Sequence, residues 1–584
     1  MKHIILRSLI ASLLILVLGL PLFACDKGNA PDETTLPADT TDTPAETPTE
    51  EPTEEPTEEV TEPEAPLPTA VSLPAGYETA DTLYDCHDDS ALHVYAGKTE
   101  ADFEAVAAYY KEQGFRVYSD TNKAGNRFTT FVGDGPMAHV YWLKDNGELN
   151  IVLSDTAADT LPPAAPEVTD GDYACSVVQM KDNTNVNGMA YIIQLKDGSY
   201  VVYDGSYSGQ ARKLTKYMQD NYTGEGKPTV RAWILTHSHN DHFPTFQTVC
   251  RRMSGSVNVE YIIYSPLNSE TFTLDDEQGY YSSDDFREDA AALEGAKVVY
   301  AHTGMEFTFC NLTLEVLMTP ETLFQNTTEL GNFNNTSVVT RLYDEDYKAL
   351  FLGDIAVKGS DRMASLYGDY LKSDMCQVSH HGVEDVPLSF YETVQASILY
   401  YPCNIWLYDQ TERHYDVRVA LENRDYTKEI LIAGCGEYKR AWGTTFEADA
   451  PLSMPDYVIP AHKLPGAETD AKEEYPVDPA LLSTDKTTYK VGEPIMITAV
   501  GSGSDWVGVA VEGGSGSLRW WCLSDGYDYV WVESGVPFDA LSTPANYNDS
   551  RDLTPGEYII VLVPDDKPFA AGDYLATVRI VITE

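Results

Sequence analysis

With 584 residues, 43% of them hydrophobic, and a formal net charge of -53, the chain is long enough for several buried cores and too acidic to attract nucleic acid over a general surface. That disfavours a sequence-independent polyanion binder and leaves open only a nucleic-acid site that brings its own divalent cations. Nine cysteines without a C-x-x-C spacing exclude a thiolate cage around a metal.

At the amino terminus Lys2 and Arg7 accompany an apolar stretch from Leu9 to Leu22, which runs into Leu22-Phe23-Ala24-Cys25. A basic start, an apolar run and a small residue before a Cys have the form of a bacterial lipoprotein signal. Residues 1–24 are then removed and Cys25 is lipidated, with a plain transmembrane anchor as the alternative. Several acyl chains on one Cys anchor stably where a single chain binds reversibly. The expected location is the extracellular face of the bacterial cell membrane. Residues 25–68 are almost all Thr, Pro, Glu, Asp and Ala, with repeats such as Thr49-Glu50-Glu51-Pro52. Such a segment has little apolar surface to bury and is expected to act as an extended, disordered tether.

Residues 70–159 read as a small α+β domain. A strand at Leu92 to Tyr95 leads to a helix opened by Thr99, with Asp102 three residues on completing a capping box. Phe103, Val106, Ala107 and Tyr110 fall on one helix face, and Gly114 stops it. Strands near Phe128 to Val132, His139 to Leu143 and Leu149 to Leu153 are expected to pack on that helix. His93 and His139 are lone histidines and read as structural.

Between residues 168 and 463 strands alternate with helices, one of them starting at Ala211 with Leu214, Tyr217 and Met218 facing inward. Tyr200 to Tyr203 reads as a buried strand ending in Asp204-Gly205. The apolar run Val230 to Leu235 leads into Thr236-His237-Ser238-His239-Asn240-Asp241-His242, which places four candidate metal donors within six residues. His237 and His239, two apart on an extended backbone, project the same way. Asp241 and His242 follow as the chain turns. Asn334-Asn335-Thr336-Ser337 precedes another apolar strand, Ala349 to Leu352, ending in Gly353-Asp354. Met375-Cys376-Gln377-Val378 then leads into Ser379-His380-His381-Gly382. Adjacent residues at a strand end point in opposite directions, so spacing leaves open which of His380 and His381 binds metal. His302 and His414 read as loop histidines outside the donor set.

Residues 482–584 turn all-β. Gly492-Glu493-Pro494 precedes Ile495 to Thr498, and Ala576, Val578, Ile580 and Ile582 alternate in the last strand, which suggests an immunoglobulin-like sandwich. Trp506, Trp520, Trp521, Tyr527 and Trp531 suit its core, with stacking on envelope sugars as the alternative. Most cysteines adjoin apolar residues, as Cys250 and Cys310 do, and read as buried free thiols; disulfide pairing stays open.

The run H-x-H-x-D-H resembles the signature of the metallo-β-lactamase superfamily, a set of mostly dinuclear hydrolases. The Asn-Asn-Thr-Ser and His-His-Gly segments resemble the extracellular hydrolase domain of the competence protein ComEC. The resemblance implies an αββα sandwich, hence an α/β fold class for the central region. It implies two divalent metal ions, zinc before manganese, with His237, His239 and one of His380 or His381 on the first ion, Asp241 and His242 on the second, and Asp354 between them. Asp241 and Asp354 are then the catalytic carboxylates, with water activated by the metals. Asp204, Asn335 and Ser337 lie behind the donors and hold them in place. The implied reaction is hydrolysis of a phosphodiester. The alternatives are an esterase or lactonase, a teichoic-acid or phosphocholine hydrolase of the envelope, and a non-catalytic envelope-binding protein. All matched residues lie between Asp204 and His381, so the central region is expected to carry catalysis by itself, the flanking domains governing location or polymer capture.

Overall fold

The computed structural model describes residues 66–86, 90–164, 173–181, 187–265, 283–323, 333–383, 386–409, 415–457, 477–501, 505–511, 518–523, 531–543, 545–547, 553–563 and 574–583. The signal, Cys25, the tether up to residue 65, His414 and Tyr527 lie outside them.

The central region places two seven-stranded sheets face to face. In spatial order the first runs Lys297–Tyr300, Asn258–Tyr264, Thr229–Ile234, Tyr200–Asp204, Ala190–Gln194, Ser176–Gln179, Tyr438–Ala441. Its first four strands are parallel and the remaining pairings antiparallel. The second runs Glu306–Phe309, Leu312–Met318, Val339–Tyr343, Lys348–Phe351, Met375–Gln377, Ile398–Tyr401, Glu429–Ile432, antiparallel up to Lys348–Phe351 and parallel beyond. Every residue of Ala190–Gln194 and Tyr200–Asp204 is buried, which is why these strands read as continuous apolar runs rather than alternating ones. Tyr191, Tyr203 and Ile234 from one sheet meet Leu314, Phe351 and Tyr400 from the other in the shared core. The helices Ala211–Asn221 and Pro244–Arg252 cover the outer face of the first sheet, and Val357–Tyr367 and Leu388–Val394 that of the second. This is a mixed-sheet αββα sandwich.

The amino-terminal strands form one antiparallel six-stranded sheet in the order Thr82–Asp85, Ser90–Tyr95, Glu148–Ser154, Met137–Leu143, Asn126–Val132, Arg116–Lys123. Thr99 caps the helix Glu100–Glu112, with both reciprocal bonds of the capping box to Asp102 present, and Phe103, Val106, Ala107 and Tyr110 are its buried face. Sequence periodicity passes over Thr82–Asp85 and Arg116–Lys123. They are the two edges of the sheet, where few positions are fully buried and the apolar signal fades.

This sheet is covered on both faces. Tyr95, Phe131, Ala138, Val140 and Ile151 pack against its own helix, whereas Leu92, Val94, Phe128, Tyr141, Leu143 and Val152 enter the same core as Leu317, Val339, Leu350 and Met363 of the central region. Polar contacts cross the same seam. His139, fully buried, meets Thr130 Oγ1 and the Thr303 carbonyl, each at 2.9 Å, and Asn126 Nδ2 donates to the Leu366 carbonyl at 2.7 Å. Lys123, 1% exposed, lies 2.5 Å from Glu306 and 3.5 Å from Glu315. Glu315 also accepts from Arg341 Nε at 2.5 Å and from the Tyr370 hydroxyl at 2.8 Å. Replacing Lys123 by Met takes the cation from half-buried Glu306 and one of the two cations from buried Glu315, which keeps Arg341. The expected loss in a denaturant melt is about 3–5 kcal/mol; a loss below ~1 kcal/mol, the size of an exposed pair, would show that the seam does not depend on it.

Residues 477–583 contribute a three-stranded and a six-stranded sheet that share one core, with Trp521 fully buried in it. Trp506 and Trp520 meet edge to face at 5.8 Å, and Trp531 is 45% exposed, so the tryptophans divide between core and surface. None of the eight described cysteines is in a disulfide.

Candidate metal centre

Each donor segment arrives at the end of a strand. Asp204 closes Tyr200–Asp204 with a left-handed φ of 49°, and its buried carboxylate accepts the Thr236 backbone N–H at 2.8 Å and the Thr236 hydroxyl at 2.7 Å. The same carboxylate lies 2.7 Å from His242 Nδ1. Because a carboxylate only accepts, Nδ1 carries a proton, and Nε2 of His242 is aimed to the other side, where it would be the ligating atom once deprotonated. That Nε2 is 2.9 Å from Asp354 Oδ2 and 3.8 Å from Asp241 Oδ1.

Asp354 sits just past Lys348–Phe351. Ser337 Oγ accepts its backbone N–H at 3.0 Å, and Asn335 Oδ1 accepts the N–H groups of Ala356 at 2.8 Å and Gly359 at 3.2 Å. Asn335 and Ser337 thus fix the turn that aims the carboxylate. Gly353 is required there: its φ is 56°, and a Cβ would come within 2.8 Å of Ser337 Cβ and 3.0 Å of Thr236 Cβ.

The geometry separates the two adjacent histidines. Both hold left-handed backbone angles, φ 46° for His380 and 56° for His381, a strain that branched or bulky residues seldom carry outside functional sites. His381 Nδ1 donates to the Pro402 carbonyl at 2.7 Å, so Nε2 faces inward, 3.1 Å from Asp241 Oδ2 and 3.3 Å from Asp354 Oδ2. His380 turns instead toward Asn334, whose Nδ2 is 3.2 Å from its Nε2. Asp241, His242, Asp354 and His381 each bring one donor atom within 4.8 Å of the others. His381 therefore lies with Asp241 and His242, whereas the resemblance implies one of His380 or His381 beside His237 and His239; the carbonyl of Pro402, just past the strand Ile398–Tyr401, sets that direction. His237 and His239 are adjacent, Nε2 to Nδ1 at 3.0 Å, and His237 Nε2 is 3.8 Å from Asp354 Oδ2. Phe333 stacks on the His239 ring at 4.8 Å.

These residues fit a metal. Two imidazole Nε2 atoms, each with its Nδ1 anchored behind by an acceptor, converge on one carboxylate oxygen, an arrangement that takes a proton on each nitrogen or a cation between them. Asp354 Oδ1 is buried without a hydrogen-bond partner. Without a cation, protons supply the positive charge. Burial opposes a charge on His381, yet the Asp354 and Asp241 carboxylates raise its pKa to about 10. Burial likewise opposes ionisation of Asp354, yet His242 and His381 hold it well below the usual carboxylate range. Burial, and then the imidazoles of His242 and His239, push His237 well below the usual histidine range, leaving a neutral donor. Burial lowers His380 to about 4.

Sequence reading gives Thr236, Asn334 and Pro402 no role; Asn334 stands in the Asn-Asn-Thr-Ser segment and Thr236 directly before the histidine run, whereas Pro402 leaves no motif signal. His302 is not part of this cluster, nor is it a surface residue: it is buried, with Nδ1 2.8 Å from Glu321 Oε2. Asp204→Asn keeps the size of the group behind His242 and removes its charge; metal affinity is expected to fall about 10–100-fold in a chelator competition. Unchanged affinity would mean that the Asp204–His242 bond does not orient a ligand.

Residues 183–252 match the family model described as Metallo-beta-lactamase superfamily. Among solved structures, the chain is similar to the metallo-beta-lactamase fold protein YhfI from Bacillus subtilis, at 13% identity over 46% of this chain and 100% of that one, with a TM-score of 0.28. It is also similar to Zn(2+)-bound PqqB from Methylobacterium extorquens, at 11% identity over 35% of this chain and 72% of that one, with a TM-score of 0.25. No curated protein matches the chain. The matched segment contains the whole donor run from His237 to His242, and on that match together with the αββα sandwich around it, the chain carries a metallo-beta-lactamase superfamily domain.

Proposed function

We propose that this chain is a dinuclear metal-dependent hydrolase, anchored through lipidated Cys25 at the extracellular face of a bacterial cell membrane, and that its substrate is a phosphodiester. The observation that carries the reading is the convergence of His242 Nε2 and His381 Nε2 on Asp354 Oδ2, with Asp241 beside them. His237 and His239 with Asp354 would hold one ion, and Asp241, His242 and His381 with Asp354 the other; zinc suits the imidazoles best and manganese is the alternative. Bound there, divalent cations would lower the pKa of water to make a nucleophile at neutral pH and offset charge on the phosphate oxygens. Asp241 is the only carboxylate of the cluster that is not fully buried, and so is placed to orient an incoming water and take its proton. Phe333 shields His239 from water on one face.

The Asn334 to Ser337 and His380 to Gly382 segments support a place in the ComEC-like branch. The carboxy-terminal sheets, as an immunoglobulin-like sandwich, would serve location or polymer capture. Net charge makes free nucleic acid a poor partner and an envelope or small diester a better one. The deciding experiment is a panel of bis-p-nitrophenyl phosphate, single-stranded DNA, lactones and nitrocefin on zinc- or manganese-loaded protein, with diester hydrolysis expected to dominate. Turnover confined to the lactones would favour the esterase or lactonase reading. Failure to retain any ion after reconstitution would favour a non-catalytic envelope-binding protein. Cys25→Ala is expected to release the protein from the membrane fraction or leave an uncleaved precursor; unchanged membrane association of a processed chain would rule out lipidation there.

A further inference from the structure

A second convergence of donors lies on the seam between the amino-terminal sheet and the central sandwich and shares no residue with the His/Asp cluster. Cys86 directly follows the strand Thr82–Asp85. His302 lies in the turn between Lys297–Tyr300 and Glu306–Phe309, and Glu321 in the short 3-10 turn Pro320–Thr322 after the strand Leu312–Met318. One donor atom from each of the three lies within 4.8 Å of the others.

Two of the three are held in place by the surrounding fold. Glu321 Oε1 accepts the Thr303 backbone N–H at 2.9 Å and the Tyr141 hydroxyl at 3.2 Å, and its Oε2 lies 2.8 Å from His302 Nδ1. Tyr141 belongs to the amino-terminal sheet, and so does His139, whose ring stacks at 6.4 Å on that of His302 while its Nε2 meets the Thr303 carbonyl at 2.9 Å. The turn bearing His302 is therefore gripped by the sheet whose edge leads to Cys86.

A thiol, an imidazole and a carboxylate make a borderline-soft set that suits zinc and its neighbours in the transition series, whereas magnesium and calcium want oxygen donors alone. His302 is 2% exposed, and Cys86 and Glu321 are half-buried, so three protein donors would leave a fourth position to water. We propose that Cys86, His302 and Glu321 form a site for a zinc-class divalent cation that clasps the amino-terminal sheet to the central region. A cation there bridges three segments of chain that come together only in the folded state, so its binding free energy stabilises the seam.

Cobalt(II) titration of the full-length protein tests this without reference to activity. A cobalt–thiolate bond gives a near-ultraviolet charge-transfer absorption that imidazole and carboxylate donors do not produce, so the His/Asp cluster is silent in that region. The parent protein and Asp354→Asn should both show the band; Cys86→Ser, which leaves the His302–Glu321 contact intact, and His302→Ala should lose it. Zinc should raise the Tm of Asp354→Asn by more than that of Asp354→Asn combined with Cys86→Ser. Absence of the band in parent protein whose Cys86 titrates as a free thiol would overturn the proposal and leave a His302–Glu321 pair without a metal. A band unchanged in Cys86→Ser, or equal zinc-induced shifts in the two Asp354→Asn backgrounds, would overturn it as well.

Discussion

Asp354→Asn is expected to cut phosphodiester turnover by on the order of 10³-fold or more, the scale seen when a group central to a catalytic constellation is removed. Its Oδ2 lies 2.9 Å from His242 Nε2, 3.3 Å from His381 Nε2 and 3.8 Å from His237 Nε2, and its Oδ1 is buried without a partner. Its carboxylate thus reaches donors in both halves of the set. Asparagine keeps the volume and removes the negative charge that two cations would share. It also presents an amide to ring nitrogens already committed in direction by Asp204 and Pro402. The fold should survive, because Ser337 Oγ holds the backbone of residue 354 rather than its side chain. In the metal-free state the substitution removes the charge that pairs with His242 and His381, so the melting temperature should fall. Metal content by mass spectrometry should fall together with kcat/KM on a soluble diester. Activity within a few-fold of the parent would show that Asp354 is not shared between metals.

Much of this centre was legible because each donor follows an apolar strand. Tyr200 to Tyr203 precedes Asp204, Val230 to Leu235 precedes His237, and Ala349 to Leu352 precedes Asp354, so a buried run ending in a polar residue marks the sheet edge where the site assembles. What stayed hidden depends on contacts far apart in the chain. The choice between His380 and His381 turns on two left-handed residues and on a carbonyl contributed by Pro402, none of which leaves a periodic trace. The seam was hidden for a different reason. Apolar residues on both faces of Met137–Leu143 announce that both are covered, but not by what. Ala138 and Val140 meet the local helix, as expected, while Tyr141 and Leu143 meet the central sandwich.

That seam argues against residues 168–463 folding without the amino-terminal sheet. Removing residues 70–159 strips Leu92, Val94, Phe128, Tyr141, Leu143 and Val152 from a core they share with the central region and deprives Glu306 and Glu315 of Lys123. In the fragment the central side chains they cover, among them Leu317, Val339, Leu350 and Met363, face water instead, at up to about 1.5–3 kcal/mol each. A whole domain is typically stable by only about 5–15 kcal/mol, so the fragment should fail to hold its fold. The expected result is that residues 168–463 are insoluble or lack a cooperative melt, whereas residues 66–463 fold, bind metal and hydrolyse a soluble diester. Equal melting transitions and equal metal uptake by the two fragments would show that the amino-terminal sheet merely rests on the sandwich. Failure of 168–463 alone would make that sheet part of the folding unit that positions Asp354, since Leu350 and Leu352, immediately before the Gly353-Asp354 turn, belong to the core it covers.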